Sequence, residues 1–177
     1  MLALFTPAPA LTAAPDPGSQ PLVREDGGVY RVVAEFTVAQ PAAIAVAALT
    51  DYENIPRFMP AVRSSTVLER TPGYAVVEQE AIARFMMFSK QIHLVLEIHE
   101  QPDRAIRFRD RCGRSFGRYE GAWTIRESAG TTAIRYELTA KPSFEVPEFL
   151  LKRLLKRDAA LMIEQLRTEI ASRAAVR

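Results

Sequence analysis

From residue 29 onward the chain alternates. Tyr30, Val32, Ala34, Phe36 and Val38 interleave with Arg31, Glu35 and Thr37, the period-two pattern of a strand with one buried face. Pro41 opens an apolar stretch, residues 42–49, that reads as a short helix, because proline is well tolerated in a first turn. Asp51 is placed to cap a second, very short helix that Pro60 ends. Nearly everything after it reads as strand: 62–70, 74–85, 88–100, 105–111, 116–127 and 131–141. Breaks at Thr71-Pro72-Gly73, Gln101-Pro102-Asp103, Cys112-Gly113 and Ser128-Ala129-Gly130 separate most of them. Connections this short require antiparallel hairpins, since parallel neighbours need a crossover of about a dozen residues. From Pro147 to about residue 173 the period changes. Leu151, Leu155, Met162, Leu166 and Ile170, widened by Leu154 and Ala159, form the stripe of a long helix. Lys152, Arg153, Lys156 and Arg157 occupy its other side.

The order predicts an α+β fold: seven antiparallel strands, two short helices after the first strand, and one long C-terminal helix. A sheet with one polar face must cover the other, and only the last helix carries a stripe long enough to do so. Long twisted strands curling around a single helix leave concave space that the helix does not fill, so a pocket is expected between them.

Residues 1–28 read differently. They hold five prolines and many alanines, with no charge before Asp16 and no periodicity, which predicts a disordered or loosely attached arm ahead of a domain at 29–177. Leu2, Ala3, Leu4 and Phe5 followed by Ala8-Pro9-Ala10 also look like the end of a secretory signal with its cleavage site, lacking the basic start and most of the apolar run. A periplasmic location follows if that segment is a truncated signal peptide, and a cytoplasmic one otherwise. The 177 residues suit one domain, and 48% hydrophobic with 25% charged residues is ordinary globular composition. One cysteine, Cys112, cannot form an intrachain disulfide or a thiolate zinc site. A net charge of +2 is too small to argue for nucleic acid, and none is expected as a partner.

Few residues are placed for chemistry. His93 and His99 fall in one strand about 20 Å apart, too far to share an ion, and the inward run Ile92, Leu94, Leu96 and Ile98 turns both outward. No metal, triad or phosphate-loop motif occurs, so no catalytic residue, metal or cofactor is predicted. Arg107, Arg109 and Arg111 point outward together, with Glu97 and Glu120 as cross-strand partners, while Arg114 and Arg118 remain uncommitted between sheet surface and anion patch. The basic start of the long helix reads as a solvated face or as a transient contact with an anionic membrane surface. Inside, Gln79 points inward beside Val77 and Ala81, and its amide must find a partner, whether backbone, water or ligand. Tyr119, Gly121, Trp123 and Ile125 share one inward face and Tyr136 another; Trp123 and Tyr136 are either a core pair or donors that orient a ligand. Gly121 there makes room for the long helix or leaves free volume.

Leu49-Thr50-Asp51-Tyr52, Phe58-Met59-Pro60, Ser64-Ser65-Thr66-Val67-Leu68, Glu78-Gln79, Gly121-Ala122-Trp123, Gly130-Thr131-Thr132 with Tyr136, and Pro142 with Pro147 carry a resemblance. Over residues 29–173 the chain resembles the START-like superfamily with the helix-grip fold, in particular its bacterial polyketide cyclase/dehydrase and coenzyme Q-binding branch. The resemblance implies a seven-stranded sheet gripping the C-terminal helix around an apolar tunnel. It implies that Asp51, Tyr52 and Phe58 lie near one mouth, and that Gln79, Leu94, Phe108, Tyr119, Trp123, Tyr136, Met162 and Leu166 line the interior. It transfers no catalytic residue. The expected function is binding or carriage of a quinone, isoprenoid or lipid in a cavity of about 300 to 1,000 Å³. A polyketide cyclase or dehydratase working through Tyr136, Gln79 or a cavity carboxylate, and a module that binds a ribosome or membrane, are the alternatives.

Overall fold

A computed structural model describes residues 20–85, 88–102 and 104–176. The elements run β1 (Leu22–Asp26), β2 (Val29–Val38), α1 (Ala42–Leu49), a 3-10 turn (Tyr52–Asn54), α2 (Ile55–Phe58), β3 (Val62–Thr71), β4 (Tyr74–Phe85), β5 (Phe88–Glu100), β6 (Ala105–Asp110), β7 (Phe116–Ser128), β8 (Thr131–Pro142) and α3 (Glu148–Ala175). All strands belong to one antiparallel sheet in the order β1-β2-β8-β7-β6-β5-β4-β3.

The sheet has eight strands where seven were expected. The extra one, β1, lies inside the segment read as an arm and pairs with β2 from Leu22 opposite Val33 to Asp26 opposite Val29. Gly27 and Gly28 make this possible, with φ of +57° and +79°. A two-residue hairpin of type I′ needs positive φ at both central positions, and glycine adopts it without a Cβ clash. Asp26-Gly27-Gly28 was therefore a hairpin signal in the sequence. The signal-peptide reading of residues 1–10 lies outside the described residues.

The alternation in β2 holds: Val32, Ala34 and Phe36 are buried and Arg31 is exposed. The same faces of β5, β7 and β8 contribute Ile98, Ile125, Ile134 and Leu138 to one core with Leu166 and Ile170 of α3. Helix α3 packs against α1, β1 and β2, and reaches α2 and β4 on its other side. Its buried residues are Leu151, Ala159, Ile163, Leu166 and Ile170. Ile163 thus belongs to the stripe, while Leu155 and Met162 sit at its margin, partly buried. The helix is anchored at its C-terminal end, where Arg173 pairs with Asp51 at 2.7 Å and donates to the Ala47 carbonyl at 3.0 Å.

Candidate ligand cavity

Between the sheet and α3 lies a cavity of about 170 Å³. Its floor comes from inward positions of β4 to β8: Gln79, Leu96, Ile98, Ile106, Phe108, Tyr119, Trp123 and Tyr136. Leu49, Tyr52, Ile55, Phe58, Met59 and Met162 close it from the helical side. The volume is below the expected 300 to 1,000 Å³, because aromatic side chains fill the concave space. Phe108 stacks on Tyr136 with ring centres 6.3 Å apart, and Trp123 lies 4.5 Å from Tyr136.

Of the residues expected at the site, Phe58, Gln79, Phe108, Tyr119, Trp123, Tyr136 and Met162 come together around this cavity. Leu94 and Leu166 do not line it. Leu166 is fully buried in the packing of α3, and Leu94 lies further along β5 in the core. Leu96 and Ile98, on the same face, take the place expected of Leu94. Tyr52 and Phe58 lie at the wall as expected, whereas Asp51 serves as the anchor of Arg173. Gly121 makes room for Phe108 rather than for the long helix, since a Cβ there would fall 2.6 Å from the Phe108 ring.

The polar groups at the wall are neutral. Gln79 donates its amide to the Ser65 hydroxyl at 3.1 Å, so a protein partner meets the need of its inward side chain. The Tyr52 hydroxyl donates to Glu100 at 2.7 Å. Burial, then its hydrogen bond to Glu100, drives the Tyr52 phenol far above its ordinary range. Tyr136 is buried and Tyr119 partly buried, and the two phenols interact. Burial pushes the Tyr119 phenol up to about 12, and burial with the neighbouring phenol holds Tyr136 well above its usual value. Both stay protonated at any physiological pH.

The outer face is a lattice of ion pairs. His93 lies there with its side chain only 15% exposed, Nδ1 2.5 Å from Glu80 and Nε2 3.7 Å from Glu78. His99 instead packs against the Tyr74 ring. Arg109 pairs with Glu97 at 3.0 Å and Arg118 with Glu120, which commits Arg118 to the sheet surface. Arg107 reaches Gln101 rather than a glutamate. Glu97, His99, Arg107, Arg109 and Glu120 border an open groove of about 450 Å³ across β5 to β8. No cluster suited to a metal ion occurs among the described residues, and no described helix is long and apolar enough to cross a membrane.

Residues 38–167 match the model of a family described as polyketide cyclase / dehydrase and lipid transport. The chain belongs to that family. Solved structures agree on the fold. The Zhui aromatase/cyclase from Streptomyces superposes with a TM-score of 0.72 at 17% identity, over 82% of this chain and 96% of its own. A START superfamily protein from Mycobacterium smegmatis gives 0.70 at 16%, over 80% and 97%. A STAR-related lipid transfer protein from Xanthomonas axonopodis gives 0.63 at 19%, over 86% and 99%. No curated protein matches the chain. Membership in the polyketide cyclase/dehydrase and lipid transport family accords with the long helix and the gripping sheet, and it leaves the ligand open.

Proposed function

We propose that this family member binds and carries a hydrophobic small molecule, of the quinone, isoprenoid or lipid class, in the cavity between the sheet and α3. The observation that carries the reading is the wall itself, which is apolar apart from Tyr52, Gln79, Tyr119, Trp123 and Tyr136. Apolar burial drives entry at about 25 cal/mol per Å², and a few polar groups set orientation. The wall contains no carboxylate, imidazole, ammonium or thiol among the described residues. General acid–base chemistry needs a group that titrates near the working pH, so the same wall favours a carrier over a cyclase.

Loading has a structural route. The Tyr52–Glu100 bond and the Arg173–Asp51 pair pin the chain just before α2. Helix α2 itself is four residues long and contains no buried residue, yet Ile55 and Phe58 close the wall. Displacing residues 55–61 opens the cavity while both anchors hold. Native mass spectrometry of protein purified gently from its own host, followed by solvent extraction, tests the proposal. A stoichiometric apolar ligand that co-purifies is the expected result. A protein that stays empty and takes up no apolar compound when reloaded overturns it.

A further inference from the structure

The outward face of α3 changes character half-way along. Phe149, Arg153, Arg157 and Leu161 follow one another at intervals of four, which stacks them in a single row on the helix surface, and all four are exposed. Leu150 and Leu154 flank that row on one side, half-buried, and Lys152 and Lys156 flank it on the other. Beyond Leu161 the outward positions are Glu164, Thr168 and Ser172, so the apolar and basic character belongs to the N-terminal half alone. Phe149 is 73% exposed, more than any other described aromatic side chain, and Leu161 is 50% exposed. The fold gives neither side chain apolar cover, because the face of α3 that packs on the sheet lies opposite.

The charges around the row are unbalanced. Arg153 and Lys156 have no hydrogen-bond or ion-pair partner among the described residues. Lys152 pairs with Glu148 and Arg157 with Asp158, so both acids in this half of the helix are engaged, and exposed Glu145 ahead of it is the remaining carboxylate there. Arg157 also donates to the Arg84 carbonyl, which brings the exposed Arg84 of β4 beside the row. Lys90 of β5 lies over the Phe144 ring just ahead of the helix. We infer that this end of α3 docks on an anionic lipid bilayer, with Phe149 and Leu161 below the phosphates and Arg153 and Lys156 paired with them. Apolar and basic side chains on one rigid row match the boundary where acyl chains meet charged headgroups, and the long stems of Arg and Lys keep their charges at headgroup level. A nucleic acid would satisfy the cations but leave Phe149 and Leu161 without apolar cover. The inference goes beyond the carrier reading and does not depend on what the cavity holds.

Co-sedimentation of the full chain with vesicles of phosphatidylcholine alone, and with vesicles of equal parts phosphatidylcholine and phosphatidylglycerol, tests it. Wild-type protein should bind the anionic vesicles and leave the neutral ones, and added salt should weaken the binding. A basic residue at an anionic surface is worth about fivefold in partitioning, so Arg153→Gln with Lys156→Gln should lower the partition coefficient about 25-fold. Phe149→Ser should lower it about tenfold through lost apolar burial. Arg107→Gln with Arg109→Gln removes the same charge from the outer face of the sheet, on the other side of the molecule, and should leave it nearly unchanged. All five substituted side chains are exposed, and circular dichroism checks that each variant is folded. Equal losses in the sheet pair and the helix pair mean a general attraction of charge and overturn the assignment. Binding to neither vesicle, or to both alike, overturns it as well. Binding of polyuridylic acid in preference to vesicles, unaffected by Phe149→Ser, overturns it in favour of a nucleic-acid face.

Discussion

Gly121→Ala is expected to be the most damaging single-methyl change in the sheet. A Cβ at this position would stand 2.2 Å from the Glu137 carbonyl oxygen, 2.6 Å from Phe108 Cζ and 3.1 Å from Phe108 Cε2. The ring can swing; the carbonyl cannot. Glu137 sits in β8, which is paired on both sides, with Ala122 of β7 opposite it on one and Val33 of β2 on the other. Overpacking of a core costs about 1–3 kcal/mol, and a clash with doubly paired backbone belongs at the upper end, about 3 kcal/mol. For a domain of this size each kcal/mol lowers Tm by about 2–4 °C, so a drop of about 6–12 °C is expected. Gly117→Ala, in the same strand, is the control, because its nearest neighbours are 3.9 Å away. Urea denaturation of both variants with unchanged m-values, alongside thermal melts, gives the comparison. If Gly121→Ala falls within about 0.5 kcal/mol of wild type, the strand relaxes locally and the close approach of β8 does not constrain this position.

The remaining predictions concern the anchor and the packing of α3. Burial alone would raise the Asp51 carboxyl, but hydrogen bonds from Asn54 and Arg173 outweigh it and hold the group below its ordinary range. A carboxyl depressed on folding contributes stability above its unfolded pKa of about 3.9, and the contribution is lost as pH falls through the folded value. Wild-type protein should therefore lose more stability between about pH 5 and pH 3 than Arg173→Ala does, and parallel pH profiles of denaturation would count against the anchor. At neutral pH Arg173→Ala should cost about 1 kcal/mol, since the pair is only partly buried. Leu166→Ala should cost about 2–5 kcal/mol by denaturant titration, because the side chain is fully buried in the contact between α3 and the core. It should leave ligand affinity nearly unchanged in the folded fraction, as Leu166 does not border the cavity; a large loss of affinity would place it at the site after all.

Local pattern made most of this legible. Alternation assigned the inward faces correctly, and Gln79, Phe108, Tyr119, Trp123 and Tyr136 all sit at the wall. It could not say how far along a face the cavity reaches, which is why Leu94 was expected where Leu96 and Ile98 are found. Ile55, Met59 and Ile106 carried no signal of their own, since an apolar residue in a core and one at a cavity wall look alike in sequence. The hairpin at Asp26-Gly27-Gly28 was different: its signal was present, but the proline-rich composition around it pointed to an arm.

The sequence by itself determined the elements, their order and the face each strand turns inward, because those follow from periods of two and 3.6 residues and from turn chemistry within a few positions. Tertiary structure alone decided the register that seats Phe108 against Gly121, the packing of Trp123 on Tyr136, and a cavity of about 170 Å³ in place of a tunnel. Each depends on how residues distant in the chain meet once the sheet has curled onto α3, and on how much space their rings then occupy, which no local pattern encodes.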